Sequence, residues 1–396
     1  MAMLKPDAMV GHWEFTFGVD RVNEIIESMN YPFLGGNVFD TEWEEPVFES
    51  TAFFEKGGVK VAVIGQHFPY TPIANPRYMM PKWSFGIRPE TVQKNVNAAR
   101  DAGAQIVVLL SHNGFDVDQK LATIVTGIDV ILTGHTHDAV PQALKINKTL
   151  LLSSGSHGKY LGRIDLDVKG GEVVDYSSTL IPVFSDVITP DPEMSAHIGA
   201  LRAPYEAECN RVIGSTSGLL YRRGNFNGTW DDLICQGIIE ERDAEISLSP
   251  GFRWGTTLLP GQDITIEDLY TQTSMSYPNV YRTEMTGAQI KTILEDVCDN
   301  LFNIDPFYQQ GGDMVRVGGM NYTCAPKASM GNRISDLTMT KTGEKLDADR
   351  KYVVGGWASV NENVEGPAIY DLMEGYISRK KSIDLPAQQA VKVIGL

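Results

Sequence analysis

Four histidines sit in short turns whose composition suits metal chemistry. They lie in Gly11-His12-Trp13-Glu14, Ser111-His112-Asn113-Gly114 and Gly134-His135-Thr136-His137. Imidazole binds Mn, Fe, Zn, Ni and Cu ions alike, so such residues say metal more firmly than they say which metal. His135 and His137 are one residue apart, and a turn can splay them toward two different ions. Any one of these segments alone also reads as an ordinary turn. Their recurrence after apolar, strand-like runs favours a metal centre held by His12, His112, His135 and His137. His67 lies in the stretch Gln66–Pro89, rich in Pro, Tyr and Trp, and has a weaker claim on the site. His157, in Ser156-His157-Gly158, reads equally as a loop residue lining the site and as a structural one. A different chemistry is offered by Arg253 in Pro250-Gly251-Phe252-Arg253-Trp254-Gly255. An arginine in a glycine-flanked turn can clamp an oxoanion with its planar fork, or be an exposed turn residue.

The elements that must position these residues follow from apolar runs and helical spacing. Val59–Gly65, Ile106–Ser111 and Ile128–Thr133 read as buried strands, the last two ending at His112 and at the Gly134 turn. In an open α/β sheet, side chains just beyond the carboxyl ends of strands line the ligand crevice. Helices are expected over 91–102 and near 118–125. A strand-like segment before His12 leads to a helix carrying Val22, Ile25, Ile26 and Met29. Phe33–Val38, Leu150–Ser153 and Gly162–Val168 read as further strands. Alternating strands and helices predict a sheet covered by helices. Beyond a linker and helix over 187–212, the texture changes. Helices are expected over 230–241, from Thr286 to about 301 and over 370–380, with short strands at 246–249, 335–340 and 352–355.

The chain of 396 residues is long enough for two domains. It is 42% hydrophobic and 21% charged, the balance of a water-exposed globular protein. No apolar run approaches the roughly 18 residues of a membrane span. A net charge of −16 argues against a nucleic-acid surface, which needs clustered Lys and Arg. Cys209, Cys235, Cys298 and Cys324 form no CxxC pair and no zinc spacing, and are expected as free buried thiols. Met1–Lys5 carries no export-signal pattern.

Together these residues resemble the metallophosphoesterase and 5′-nucleotidase superfamily over nearly the whole chain. The family's GNHE-type motif, its later strand-end His and its GHxH motif correspond to Gly11–Glu14, Ser111–Gly114 and Gly134–His137. The implied fold is α/β. Residues 1–186 would be the C-terminal part of a calcineurin-like metallophosphoesterase β-sandwich with helices, 187–212 a linker helix, and 213–396 a 5′-nucleotidase-type C-terminal α/β domain that binds substrate. The resemblance implies that His12, His112 and His135 share one metal and that His137 faces another.

Two departures carry information. The family's asparagine is His12, and its catalytic histidine is Trp13; the aspartate that supports that histidine is Thr16. Gly-His-Trp-Glu-Phe-Thr, with Pro250–Gly255 and Gly356-Trp357-Ala358, is similar to the SoxB branch, the dimanganese thiosulfohydrolases. That branch implies a periplasmic enzyme with two Mn²⁺. A metal-bound hydroxide would remove the sulfonate from a cysteine S-thiosulfonate on the SoxYZ carrier protein and release sulfate. Arg253 would hold the sulfonate oxygens, and Trp13 would narrow the site. A thiolate leaving group needs less protonation than an alkoxide, which makes the loss of the histidine tolerable. The family's Asp-x-His and Gly-Asp motifs, which supply the remaining ligands, are not found ahead of Gly11, so an N-terminally incomplete catalytic domain is expected. Two other readings stay open: a phosphoesterase acting on nucleotides, and a fragment that retains a carrier surface without catalysis.

Overall fold

The computed structural model describes residues 1–222, 224–361, 364–385 and 389–395. The chain divides into two units, Met1–Ser195 and Ala196–Leu396, and the division falls inside the helix Pro192–Arg202.

In the first unit the apolar runs make a six-stranded sheet. Its strands are β1 (Thr51–Lys56), β2 (Val59–Gln66), β3 (Ile106–Ser111), β4 (Val130–Thr133), β5 (Leu144–Ile146) and β6 (Thr149–Ser153). The spatial order is β1-β2-β3-β4-β6-β5. The four inner strands are parallel, and β1 and β5 run antiparallel at the edges. Ile106, Val107, Leu109, Val130, Ile131 and Leu150–Leu152 are buried, as parallel strands covered on both faces must be. The helices α1 (Val19–Glu27), α2 (Pro89–Asp101) and α3 (Phe115–Ile124) belong to this unit. A separate antiparallel hairpin joins β7 (Tyr160–Lys169) to β8 (Glu172–Pro182).

The register decides where the chemistry sits. Gln66, Ser111, Thr133 and Ser153 are paired in a row across β2, β3, β4 and β6. The next residues, His67, His112 and Gly134, therefore emerge together at the carboxyl edge of the sheet.

Three sequence expectations differ from the structure. Phe33–Val38 is not a strand: Phe33 makes an isolated bridge to Met9, and the rest is irregular and buried. Its backbone bonds go to single partners, Gly35 N–H to Glu49 O and Gly36 N–H to Gly65 O. A side chain at Gly35 would overlap the His67 ring, its Cβ falling 2.3 Å from Nε2, so glycine is what lets this segment lie so close. The segment before His12 is likewise only that single bridge, followed by a 3₁₀ turn at Glu14–Phe17. The helix expected near 118–125 begins earlier, at Phe115, with Gly114 as its N-cap and Asp116 and Asp118 in its first turn, where carboxylates suit the helix dipole.

The described residues of the second unit form three small sheets. Its strands are β9 (Val212–Thr216), β10 (Ile246–Gly251), β11 (Asp263–Thr265), β12 (Val280–Thr286), β13 (Asp313–Gly318), β14 (Met320–Cys324), β15 (Ile334–Met339), β16 (Lys351–Trp357), β17 (Ser382–Ile383) and β18 (Val391–Val393). They form β12-β16-β10-β13, β11-β9-β17 and β15-β14-β18. Helices α4 (Thr229–Arg242), α5 (Ile266–Thr273), α6 (Gly287–Phe302) and α7 (Ile369–Lys380) pack on them. The helix expected from Thr286 is α6, and it starts at a complete capping box: Thr286 accepts from the Gln289 N–H, and Gln289 accepts from the Thr286 N–H. The α/β class with mixed sheets is what the sequence predicts. No helix among the described residues is long and apolar enough to cross a membrane.

Candidate metal centre

His112 follows β3 directly, and the backbone keeps extending the ladder there: His112 N–H donates to Gln66 O at 2.9 Å, and Gly134 N–H to Ser111 O at 3.0 Å. The second bond brings the Gly134–His137 turn against the His112 turn. A Cβ at Gly134 would stand 3.2 Å from His112 Nδ1, tight enough that the His112 ring would have to shift. His135 and His137 both adopt positive φ, 78° and 63°. Such left-handed geometry is uncommon outside glycine, although histidine tolerates it better than most. It costs on the order of 1–3 kcal/mol per residue and collects at functional sites.

His12 reaches the same place from outside the sheet. Its neighbour Gly11 donates its N–H to His67 Nδ1 at 2.7 Å, and Phe68 N–H donates to Gly11 O at 3.3 Å. The His12 N–H donates to the Glu14 carboxylate, and the Thr71 hydroxyl to His12 O at 3.2 Å. His67 is fully buried, stacked on Phe33 at 4.7 Å and edge-on to Phe15 at 5.0 Å. It is thus a loop residue, as the sequence implied, but a buried one that anchors the His12 turn.

The three rings of His12, His112 and His135 converge. Ring centroids are 4.7 Å apart for His12 and His112, 5.0 Å for His12 and His135, and 5.5 Å for His112 and His135. One nitrogen from each lies within 4.8 Å of the other two. Burial lowers the His112 pKa to about 4, and burial followed by the His112 charge lowers His67 to about 3. Both rings are neutral at neutral pH, the state in which imidazole ligates a metal. The donor set fits a divalent transition ion: three imidazoles at a spacing that metal–nitrogen bonds of about 2.0–2.1 Å can close by small side-chain movement.

His137 stands outside that group, its ring edge-on to His157 at 5.4 Å. Trp13 stacks on His12 with centroids 4.8 Å apart, and Phe68, from the long connection after β2, stacks on His135 at 4.1 Å. Arg253 belongs to the second unit, in the segment after β10, between Phe252 and Trp254, whose rings stack at 3.9 Å. Near it, a cavity of about 580 Å³ is lined by Ser249, Pro250, Tyr281, Asp313, Trp357 and Asn361, among others.

Asp118, which carried no role in the sequence, organises the two histidine-bearing turns. Its fully buried carboxylate accepts from the Ser111 hydroxyl at 2.9 Å, the Asn113 amide at 2.9 Å and the Thr133 hydroxyl at 2.5 Å. Ser111 and Asn113 flank His112, and Thr133 opens the turn to His135. Burial raises the Asp118 pKa to about 6, and the three donated bonds hold it from rising further. A further tie links the turns directly: Phe115 N–H donates to the Thr136 hydroxyl at 3.1 Å. The signal that finds Asp118 in a sequence is its place in the first turn of a helix that begins right after a metal-type turn.

Comparison with known proteins agrees with this architecture. Residues 212–370 match the family described as 5′-nucleotidase, C-terminal domain. The structure of a sulfate thiohydrolase SoxB from Thermus thermophilus superposes with a TM-score of 0.95 at 34% identity, covering 100% of this chain and 74% of that one. A 5′-nucleotidase precursor, also from Thermus thermophilus, superposes at 0.85 with 20% identity, covering 99% and 84%, a likeness of fold. Among curated relatives, the trifunctional nucleotide phosphoesterase protein YfkN of Bacillus subtilis is 26% identical over 71% of this chain and 20% of its own length. Protein UshA of Yersinia enterocolitica is 24% identical over 76% and 64%. The chain spans 20%, 34% and 39% of the first three curated relatives it matches.

Proposed function

The chain belongs to the metallophosphoesterase–5′-nucleotidase superfamily, and from that premise we propose that it serves a metal-dependent hydrolase of the SoxB type. The observation that carries this reading is the Gly11–Glu14 turn. There, by the motif resemblance, a tryptophan stands where the superfamily has its catalytic histidine, and its indole stacks on His12, a member of the histidine triad. The likeness to the sulfate thiohydrolase structure supports it.

In this reading His12, His112 and His135 hold one divalent ion, and His137, with His157 beside it, faces a second. Manganese is the proposed metal. A bound divalent cation supplies charge stabilisation and a water nucleophile active near neutral pH. The protein's own residues do the rest. His67 and Asp118 hold the ligand turns, Trp13 excludes bulky groups and offers no proton, and Arg253 binds the sulfonate oxygens of the substrate. The substrate is a cysteine S-thiosulfonate on a SoxYZ-type carrier protein, the product is sulfate, and the setting is the periplasm. A thiolate leaves as a stable anion, so a site without an acid at position 13 suits it better than it suits a phosphate ester.

The match of residues 212–370 to the 5′-nucleotidase C-terminal domain favours a second reading, a nucleotide phosphoesterase. One assay separates them. The Mn²⁺-loaded chain is given a thiosulfonated carrier peptide and, in parallel, a panel of nucleoside monophosphates. Sulfate release without phosphate release supports the SoxB-type reading; phosphate release alone overturns it. If neither product appears while metal is bound, the chain is a non-catalytic binding unit and both enzymatic readings fail for it.

A further inference from the structure

Two thiols in the second unit touch. Cys298 on α6 and Cys324 at the end of β14 place their sulfur atoms 3.6 Å apart, van der Waals contact for sulfur. Both side chains are fully buried, in a core with Ile290, Leu294, Met314 and Tyr322. The two backbones that carry them are held by independent ties. The Glu295 carboxylate, one turn before Cys298, accepts from the backbone N–H groups of Gly331, Arg333 and Ile334. Asp299 pairs with Arg333. Ile334 is in turn paired with Cys324 across β14 and β15. α6 is thus fastened to the strand beside Cys324, so the approach of the sulfurs is built into the packing.

We propose that Cys298 and Cys324 form an intramolecular disulfide when the chain folds in an oxidising compartment. The step is thiol–disulfide exchange with a disulfide-bearing oxidant. One cysteine thiolate attacks a sulfur of the oxidant and releases one thiol of it. The second thiolate displaces the remaining half from the mixed disulfide. Two S–H bonds and the S–S bond of the oxidant are lost, one protein S–S bond forms, and the two protons end on the two sulfurs of the oxidant, which leaves as thiols. The sulfurs must move from contact to a bond of about 2.05 Å, a shift of roughly 1.5 Å that rotation of two side chains can supply. Exchange precedes closure of the core, because the folded unit shields both sulfurs. Once closed, the same shielding protects the bond from reductants. Cys209, in the short helix Glu206–Cys209, and Cys235, on α4, stay as thiols. The link bears on ligand binding too, since Ile293 and Val297 of the cross-linked helix line the cavity beside Trp357.

The test uses the full chain, refolded in a buffer of oxidised and reduced glutathione, then unfolded and alkylated without reductant. The expected result is two alkylated thiols, a mass about 2 Da below that of the fully reduced chain after allowing for the alkyl groups, and a proteolytic fragment joining the Cys298 and Cys324 peptides. Reduction then lowers the melting temperature by roughly 5–10 °C. Four alkylated thiols, or a pairing that includes Cys209 or Cys235, overturns the proposal. Cys298→Ala should show three alkylated thiols and no linked fragment. Should that variant not fold, the wild-type alkylation pattern decides alone.

Discussion

The Thr133 hydroxyl donates to the Asp118 carboxylate at 2.5 Å, joining the strand end that leads to His135 to the helix that follows His112. The same carboxylate takes the Ser111 hydroxyl and the Asn113 amide, so one buried acid sets the spacing between two of the three triad histidines. Outer hydrogen bonds of this kind orient metal ligands and tune affinity.

Asp118→Ala removes the acceptor for three buried donors. The expected stability loss is about 3 kcal/mol or more, because unsatisfied buried groups each cost about 1–3 kcal/mol. Metal affinity should fall by about 10–100-fold. Asp118→Asn keeps one carbonyl oxygen for Ser111 and Asn113 and should recover most of the affinity. Titration with Co²⁺, read by its visible absorption, checks both variants. Equal affinity in Asp118→Ala and wild type would remove Asp118 from any positioning role.

The pH dependence of the first unit follows from three buried groups. His67 and His112 have folded pKa values of about 3 and about 4, below the unfolded value of 6.5, so their contribution is full above pH 6.5 and is lost as pH falls. Asp118 has a folded pKa of about 6, above its unfolded 3.8, so its contribution is full below pH 3.8 and is lost as pH rises through 6. Between pH 4 and 6 the two histidines therefore oppose the acid, and one net proton remains, a slope of about 1.4 kcal/mol per pH unit from these groups. In Asp118→Asn the opposing group is gone and the slope should double. Hydrogen exchange of the β3 amides in metal-free protein measures it. An unchanged slope would show that Asp118 does not hold its proton in that window.

The inner strands and the GHTH turn were legible because a buried parallel strand is a continuous apolar run and a strand-ending histidine follows it directly. Phe33–Val38 misled because its apolar residues are buried without a sheet partner, with Gly35 leaving room for the His67 ring. The hairpin partner β8 and edge strand β1 were passed over, though Gly57-Gly58 between β1 and β2 is a hairpin signal. Asp118 and the anchoring role of His67 escaped for a different reason. A buried acid or imidazole that holds other residues has no pattern of its own, and its role exists only once distant segments are folded together.

The histidine triad predicts unequal roles within Gly134–His137. His135 supplies one of three clustered nitrogens, whereas His137 lies with His157. His135→Ala should weaken the first equivalent of Mn²⁺ by about 100-fold or more. His137→Ala should leave that equivalent bound and alter only a second one. Calorimetric titration distinguishes the two. Loss of the first equivalent in both variants would mean that the pair acts on one ion.

Trp13→His is the most direct probe of the chemistry. The ring at position 13 stacks on His12, so an imidazole placed there would stand beside the histidine triad and, on the proposed reading, could carry a proton to a leaving oxygen. Positioned acid–base groups contribute about 10²–10⁴-fold to rate. The full gain also needs a partner for the new ring, and the neighbouring Thr16 hydroxyl is already committed to Trp13 O at 2.8 Å. Phosphomonoester hydrolysis should therefore rise by about tenfold, short of what a fully positioned acid supplies. On the proposed reading, in which Trp13 narrows the site, sulfate release from the carrier peptide should fall, since the thiolate leaving group gains nothing from an added proton donor. Parallel phosphate and sulfate assays on one preparation read both changes. A variant in which both activities fall together would show that the indole serves packing around His12.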